Sequence, residues 1–170
     1  MRFKINEIGA EGLTLDVPIT SEWLASACPD LEAHPGPDGL ALRGRLAKSG
    51  DDYLLVAHIG GILETSCARC LEPARVKVDA SMTVNFVPAD EDEELDEDAD
   101  VVGFAGNEID VSDEVRDEIL LGIPLQVLCR ESCLGLCPVC GGNRNVTPCT
   151  CEADRRQAES RFAALGKLKI

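Results

Sequence analysis

The placement of the cysteines limits what this chain can fold into more than any other feature. Eight of the nine fall into closely spaced groups that lie far apart in sequence. Cys67-Ala-Arg-Cys70 sits in mid-chain, while Cys129, Cys133, Cys137, Cys140, Cys149 and Cys151 crowd one later stretch. A tetrahedral zinc site takes four thiolates at about 2.3 Å, so eight cysteines predict two closed, structural zinc ions. The Cys-x-x-Cys spacing of Cys67–Cys70 and Cys137–Cys140 lets one tight turn aim both sulfurs at one centre. Pro138 and Gly141-Gly142 constrain and open the second turn.

Two ways of sharing the ligands are consistent with the spacing. The more economical assigns Cys137, Cys140, Cys149 and Cys151 to a local site, with eight residues between Cys140 and Cys149 as a return loop. Cys67, Cys70, Cys129 and Cys133 then form a long-range site. The other joins Cys67 and Cys70 to Cys137 and Cys140, and leaves Cys129, Cys133, Cys149 and Cys151. Cys28 stands alone and reads as a small buried residue.

Composition narrows the function classes. The formal charge of −15 argues against a broad nucleic-acid footprint, and two four-thiolate zinc sites would carry it to about −19. Residues 90–100 hold nine acidic side chains and no basic one, whereas residues 141–170 are mildly basic. No apolar run approaches the ~20 residues that span a bilayer, and Met1-Arg-Phe-Lys-Ile-Asn lacks the apolar centre of a secretory signal. These features predict a cytoplasmic protein with no membrane partner, whose clustered thiols bind metal in place of forming disulfides.

The pattern predicts an α+β fold: an antiparallel β-sheet or partly open barrel with a covering helix, followed by a cysteine-rich zinc module and a last helix. The β-rich domain spans residues 1–128 and the zinc module with its helix 129–170. Gly12–Val17 alternates briefly before Pro18. Ser21 is positioned to cap a short helix, and His34–Gly39 reads as a turn-rich connector. Leu40–Leu46 alternates, Tyr53–Ile59 is apolar enough to be more fully buried, and residues 74–87 keep strict period-two alternation. His58 is then a core residue. Residues 88–109 read as an acidic, solvated loop. Asp110–Leu121 is the clearest helix, with Asp110 or Ser112 as cap and Val115 and Ile119 on its buried face. A final helix is expected from about Ala153 to Leu165.

Catalysis finds little support. A catalytic zinc keeps a position open and often uses His or carboxylate donors, but His34 and His58 lie far in sequence from the cysteine groups. No phosphate-binding glycine loop, nucleophile elbow or Ser/His/Asp grouping is present. A thiol–disulfide redox enzyme or sensor built on one Cys-x-x-Cys pair is the competing reading. A redox motif of the thioredoxin type opens a helix, whereas Cys70 runs through Leu-Glu-Pro into a strand.

Several stretches together resemble the YceD family. They are Cys67-Ala-Arg-Cys70-Leu-Glu-Pro, the Asp110–Leu121 helix ending in Ile123-Pro124, Leu128-Cys129, Cys133-Leu-Gly-Leu-Cys-Pro-Val-Cys-Gly-Gly-Asn-Arg-Asn, and Cys149-Thr-Cys151. The similarity runs from roughly residue 40 to the C-terminal helix. Leu134 and Arg144 depart from it, standing where Lys and Leu are expected. The resemblance implies a non-enzymatic role in ribosome biogenesis and the accumulation of large-subunit ribosomal RNA. The charge layout then predicts a ribosomal protein or pre-ribosomal particle as partner, held through the acidic loop. RNA contact falls to Arg144, Arg155, Arg156 and Arg161.

Overall fold

A computed structural model describes residues 1–89 and 101–151. In chain order it contains β1 (Arg2–Lys4), a 3-10 turn at Ile5–Glu7, β2 (Leu13–Pro18), α1 (Ser21–Ala27), β3 (Ala33–Ser49), β4 (Asp52–Ser66) and β5 (Pro73–Pro88). There follow β6 (Val101–Phe104), β7 (Glu108–Asp110) and α2 (Ser112–Gly122). The main sheet runs β2-β3-β4-β5-β6 and is open. Its first four strands are antiparallel and β6 joins β5 in parallel. A separate two-stranded ribbon pairs β1 with β7, opposing Phe3 to Ile109. The class is α+β, as the sequence predicts.

Alternation makes the sheet two-faced. On β5 the buried set Ala74, Val78, Met82 and Phe86 shares one parity with the half-buried Val76, Ala80 and Val84. The same face of β3 and β4 supplies Leu42, Leu46, Leu55, Ile59 and Leu63, all fully enclosed. Val115 and Ile119 of α2 and Leu24 of α1 close over this face. Each such side chain contributes about 1.5–3 kcal/mol through apolar burial. The Asp110 carboxylate accepts the Ser112 N–H at 3.0 Å and so ties down the start of α2. Helix α1 is capped by Thr20, whose hydroxyl accepts from the Trp23 N–H, and not by Ser21.

Several expectations need correction. His34–Gly39 is not a connector outside the sheet but part of β3. Pro35 and Pro37 offer no N–H to a ladder, so the chain bulges there. Between Pro35↔Leu63 and Leu40↔Gly61, β3 advances five positions while β4 advances two. Gly61 makes this possible: its φ is 152°, and a β-carbon there would meet the Gly39 carbonyl oxygen at 2.2 Å.

Tyr53–Ile59 is not fully buried either. Leu54 and Val56 reach solvent at 36% and 51% exposure on the uncovered face. His58 lies on that face as well, where its Nε2 meets Asp79 Oδ1 at 2.8 Å, and it is no core residue. The later part of the expected acidic loop folds as β6 and β7, because Val101, Val102, Phe104 and Ile109 supply apolar side chains to the sheet edge and core. Residues 90–100 and the expected C-terminal helix lie outside the described residues.

The fold delivers two chain segments to one place. Strands β4 and β5 stay paired to Ser66↔Pro73 at their far end, so Cys67–Glu72 forms the tip of a long hairpin. After α2, the segment 125–128 turns back to this tip, and the Ala68 N–H donates to the Val127 carbonyl at 2.9 Å.

Candidate metal centre

At the hairpin tip, Cys67, Cys70, Cys129 and Cys133 bring their sulfurs within 4.8 Å of one another. Cys67 and Cys133 sulfurs stand 3.8 Å apart, and those of Cys70 and Cys129 3.5 Å. Four sulfurs at about 2.3 Å from a common tetrahedral centre are separated by about 3.8 Å. A disulfide would need about 2.05 Å. The spacing is that of ligands around an ion. Cys67, Cys70 and Cys133 are buried together with Ala74, and Val127, Leu128 and Leu136 pack around them.

Cys137, Cys140, Cys149 and Cys151 form a second group, again within 4.8 Å. The structure thus places the eight sulfurs in the long-range and local sets, the first of the two arrangements open to the sequence. Cys28 is buried apart from both, against the main core.

The two Cys-x-x-Cys turns repeat one another bond for bond. In the first, the Leu71 N–H donates to the Cys67 carbonyl at 3.0 Å, the Cys67 N–H to the Glu72 carbonyl at 2.8 Å, and the Arg69 N–H to the Cys67 sulfur at 3.5 Å. In the second, the Gly141 N–H donates to the Cys137 carbonyl at 2.8 Å, the Cys137 N–H to the Gly142 carbonyl at 2.8 Å, and the Val139 N–H to the Cys137 sulfur at 3.5 Å. Both turns end in a left-handed residue. Gly141 adopts φ 71° at no steric cost, while Leu71 adopts φ 63° and is the one non-glycine residue with positive φ among the described residues.

The electrostatics fit a cation. Burial works against a thiolate at Cys67, but the N–H groups of Cys129, Arg69 and Cys70 outweigh it and bring this thiol down to about 6. At Cys137 the N–H groups of Cys140 and Val139 do the same, also to about 6. Within each group another thiol moves the opposite way. The Glu72 N–H favours ionisation of Cys70, but burial and the surrounding sulfurs override it and push Cys70 up to about 12. Cys151 is pushed up to about 12 by Cys140, then by burial. Four thiolates this close repel one another, and a bound divalent ion reverses that balance. Each group therefore fits a metal held by four sulfurs. Such a shell leaves no open position for water or substrate.

Other residues singled out by sequence lie elsewhere. Arg144 is half-buried in the loop of the second group, and its N–H donates to the Gly135 carbonyl at 3.0 Å. Arg155, Arg156 and Arg161 lie outside the described residues. Sequence reasoning missed Asn145, whose side-chain amide donates to the Cys133 sulfur at 3.4 Å, and Asn143, which donates to Glu72 Oε1 at 3.2 Å. Both belong to the Gly-Gly-Asn-Arg-Asn stretch, and no spacing rule says which sulfur an asparagine will meet.

Comparison with known proteins places this arrangement. A family model described as large ribosomal RNA subunit accumulation protein YceD matches residues 55–169, a span holding both cysteine groups. The chain belongs to the YceD family. Among its relatives is a maize protein named large ribosomal RNA subunit accumulation protein YCED homolog 1, chloroplastic, 29% identical over 89% of this chain and 57% of its own length. The Arabidopsis thaliana protein of the same name is 36% identical over 36% of this chain and 19% of its own. An uncharacterised Mycobacterium tuberculosis protein is 32% identical over 57% of this chain and 47% of its own. This YceD chain spans about half the length of the curated relatives it matches. No solved structure matches it. No helix among the described residues is long and apolar enough to cross a membrane.

Proposed function

We propose that this YceD protein is a non-enzymatic, cytoplasmic ribosome-biogenesis factor that supports accumulation of large-subunit ribosomal RNA. In this reading Cys67, Cys70, Cys129 and Cys133 hold one structural zinc, and Cys137, Cys140, Cys149 and Cys151 hold a second. The observation that carries it is a family match spanning two groups of four cysteines, each with its sulfurs within 4.8 Å of one another. Such sites fix surfaces and leave no vacant coordination position for chemistry.

The partner is a ribosomal protein, pre-ribosomal RNA, or both within one particle. Its basic portion would meet the acid-rich residues 90–100, and RNA would meet Arg144, Arg155, Arg156 and Arg161. A chain of net charge −15 is poorly suited to gripping RNA along its whole surface.

Metal analysis and affinity capture test the proposal together. Purified protein should carry about two zinc ions per chain, with thiols unreactive until chelation. Capture at modest salt should recover ribosomal proteins or precursor RNA, and depletion should lower the ratio of large- to small-subunit ribosomal RNA. Metal-free protein with one reactive low-pKa cysteine would point to the redox enzyme instead. An unchanged RNA ratio would sink the ribosomal role.

A further inference from the structure

The two cysteine groups are joined far more closely than their eight ligands suggest. Cys133 of the first and Cys137 of the second are separated only by Leu134, Gly135 and Leu136. This short link forms one side of a small ribbon. Leu136 pairs with Asn143, the Arg144 N–H donates to the Gly135 carbonyl, and the Cys137 N–H donates to the Gly142 carbonyl. On its other side the Leu136 N–H donates to the Arg69 carbonyl at 2.9 Å, inside the first Cys-x-x-Cys turn. The ribbon thus lies between the two groups and is bonded to both.

Asn145 is the point where the second group's loop touches the first group's sulfur. Its side-chain oxygen accepts the Leu134 N–H at 2.9 Å, which fixes the orientation of the amide. The nitrogen then faces Cys133 Sγ at 3.4 Å and Asn143 Oδ1 at 2.9 Å. Asn143 braces it further, accepting the Asn145 N–H at 3.0 Å and donating to Glu72 Oε1 at 3.2 Å. Glu72 belongs to the first turn, so the bracing also crosses between groups. Both asparagines ride on the loop between Cys140 and Cys149, whose ends the second group gathers together.

We infer that Asn145 is a positioning residue through which the second cysteine group sets the metal affinity of the first, so that the two sites load cooperatively. The inference rests on reading both groups as metal sites. The physical basis is simple. Four thiolates around a divalent ion leave a net charge of −2, and N–H donors to the sulfurs disperse it. Where the donor sits on a loop ordered by a second ion, that ion's binding supplies the donor in place. Reciprocity follows, because coupling between two binding equilibria acts equally in both directions.

The test uses the full-length, reduced chain titrated with cobalt(II) and then zinc(II) against a competing chelator. Cobalt–thiolate absorption reports each site's ligand field, and native mass spectrometry counts the ions. Wild type should bind two. Cys149→Ser should lose one ion and also weaken the remaining first site about tenfold or more, within the 10–100-fold range typical of lost outer-shell partners. Asn145→Ala should keep two ions, weaken the first site by a similar factor and shift its cobalt absorption. Asn145→Asp, which sets a carboxylate against the thiolate, should weaken it further. Asn143→Ala removes only the brace and should give a smaller loss. Combining Asn145→Ala with Cys149→Ser should add little to Cys149→Ser alone, since both remove the same contact.

A first site unchanged in Cys149→Ser and in every Asn145 variant would overturn the coupling while leaving the two-site reading intact. So would losses that add independently. A wild-type chain that binds no ion would overturn the metal reading and the coupling with it. Unfolding followed by Trp23 fluorescence separates loss of affinity from loss of the sheet.

Discussion

Removing the first cysteine group should cost the β-sheet core far more than removing the second, because the two close loops of very different length. Cys70 and Cys129 lie 59 positions apart, and the chain between them contains β5, β6, β7 and α2. Treating the metal as a cross-link, the chain-entropy relation for a loop of about 60 residues gives about 4 kcal/mol at 25 °C. The return from Cys140 to Cys149 closes only about ten residues, for which the same relation gives about 3 kcal/mol. The smaller term also falls on the local module, since that loop encloses none of the core strands.

The single tryptophan makes the distinction measurable. Trp23 lies on α1, packed against the main core and away from both cysteine groups. With zinc in excess, the urea transition of Trp23 fluorescence should move to lower stability by about 4 kcal/mol in Cys70→Ser/Cys133→Ser. In Cys140→Ser/Cys149→Ser it should move by only about 1.4 kcal/mol, the equivalent of tenfold weaker zinc binding at the first site. Equal shifts in the two variants, or a larger shift from the local group, would refute the reasoning and show that the long-range ligands do not restrain the core.

Two further outcomes follow from the geometry. Gly141→Ala should weaken zinc binding by the second group a few-fold, equivalent to about 1 kcal/mol of left-handed strain. Nothing lies within 4 Å of an added β-carbon there, so the backbone alone carries the effect. Chelator competition reads it, and Leu71→Gly at the matching position should not weaken the first group. Asp79 is held down at about 2 by hydrogen bonds from Lys77 and His58. A carboxylate with a depressed folded pKa stabilises fully above its ordinary value near 3.8 and loses that contribution as pH falls toward 2. Asp79→Asn should therefore flatten the fall in melting temperature between about pH 4 and pH 2, as followed by circular dichroism.

What the sequence could disclose depended on how local the physics was. Strand β5 was legible because ten and more residues of strict alternation admit one reading. Helix α2 was legible because its Val115/Ile119 spacing agreed with the acidic residues at its start. The cysteine groups followed from ligand number and turn length, both local properties. The pairing of β1 with β7 was not legible: each strand is three residues long, and they meet across more than a hundred positions. His58 looked like a core residue because its neighbours in sequence are apolar. Its partner Asp79 lies 21 residues away on the next strand, and only the register shows that both face solvent. The proline- and glycine-rich start of β3 carried every mark of a turn, yet pairing with β4 on both sides of the bulge kept it in the sheet. Asn145 needed the whole path of the module to be known before its target could be named.

The β4–β5 hairpin remains paired from Tyr53↔Phe86 to Ser66↔Pro73. At about 3.3 Å per residue this is an arm about 40 Å long. The first cysteine group sits at its tip, and the bulk of the sheet and both helices lie along its shaft. The cysteine module is thereby held at one end of the sheet, a hairpin's length from Tyr53 and Phe86 at the other.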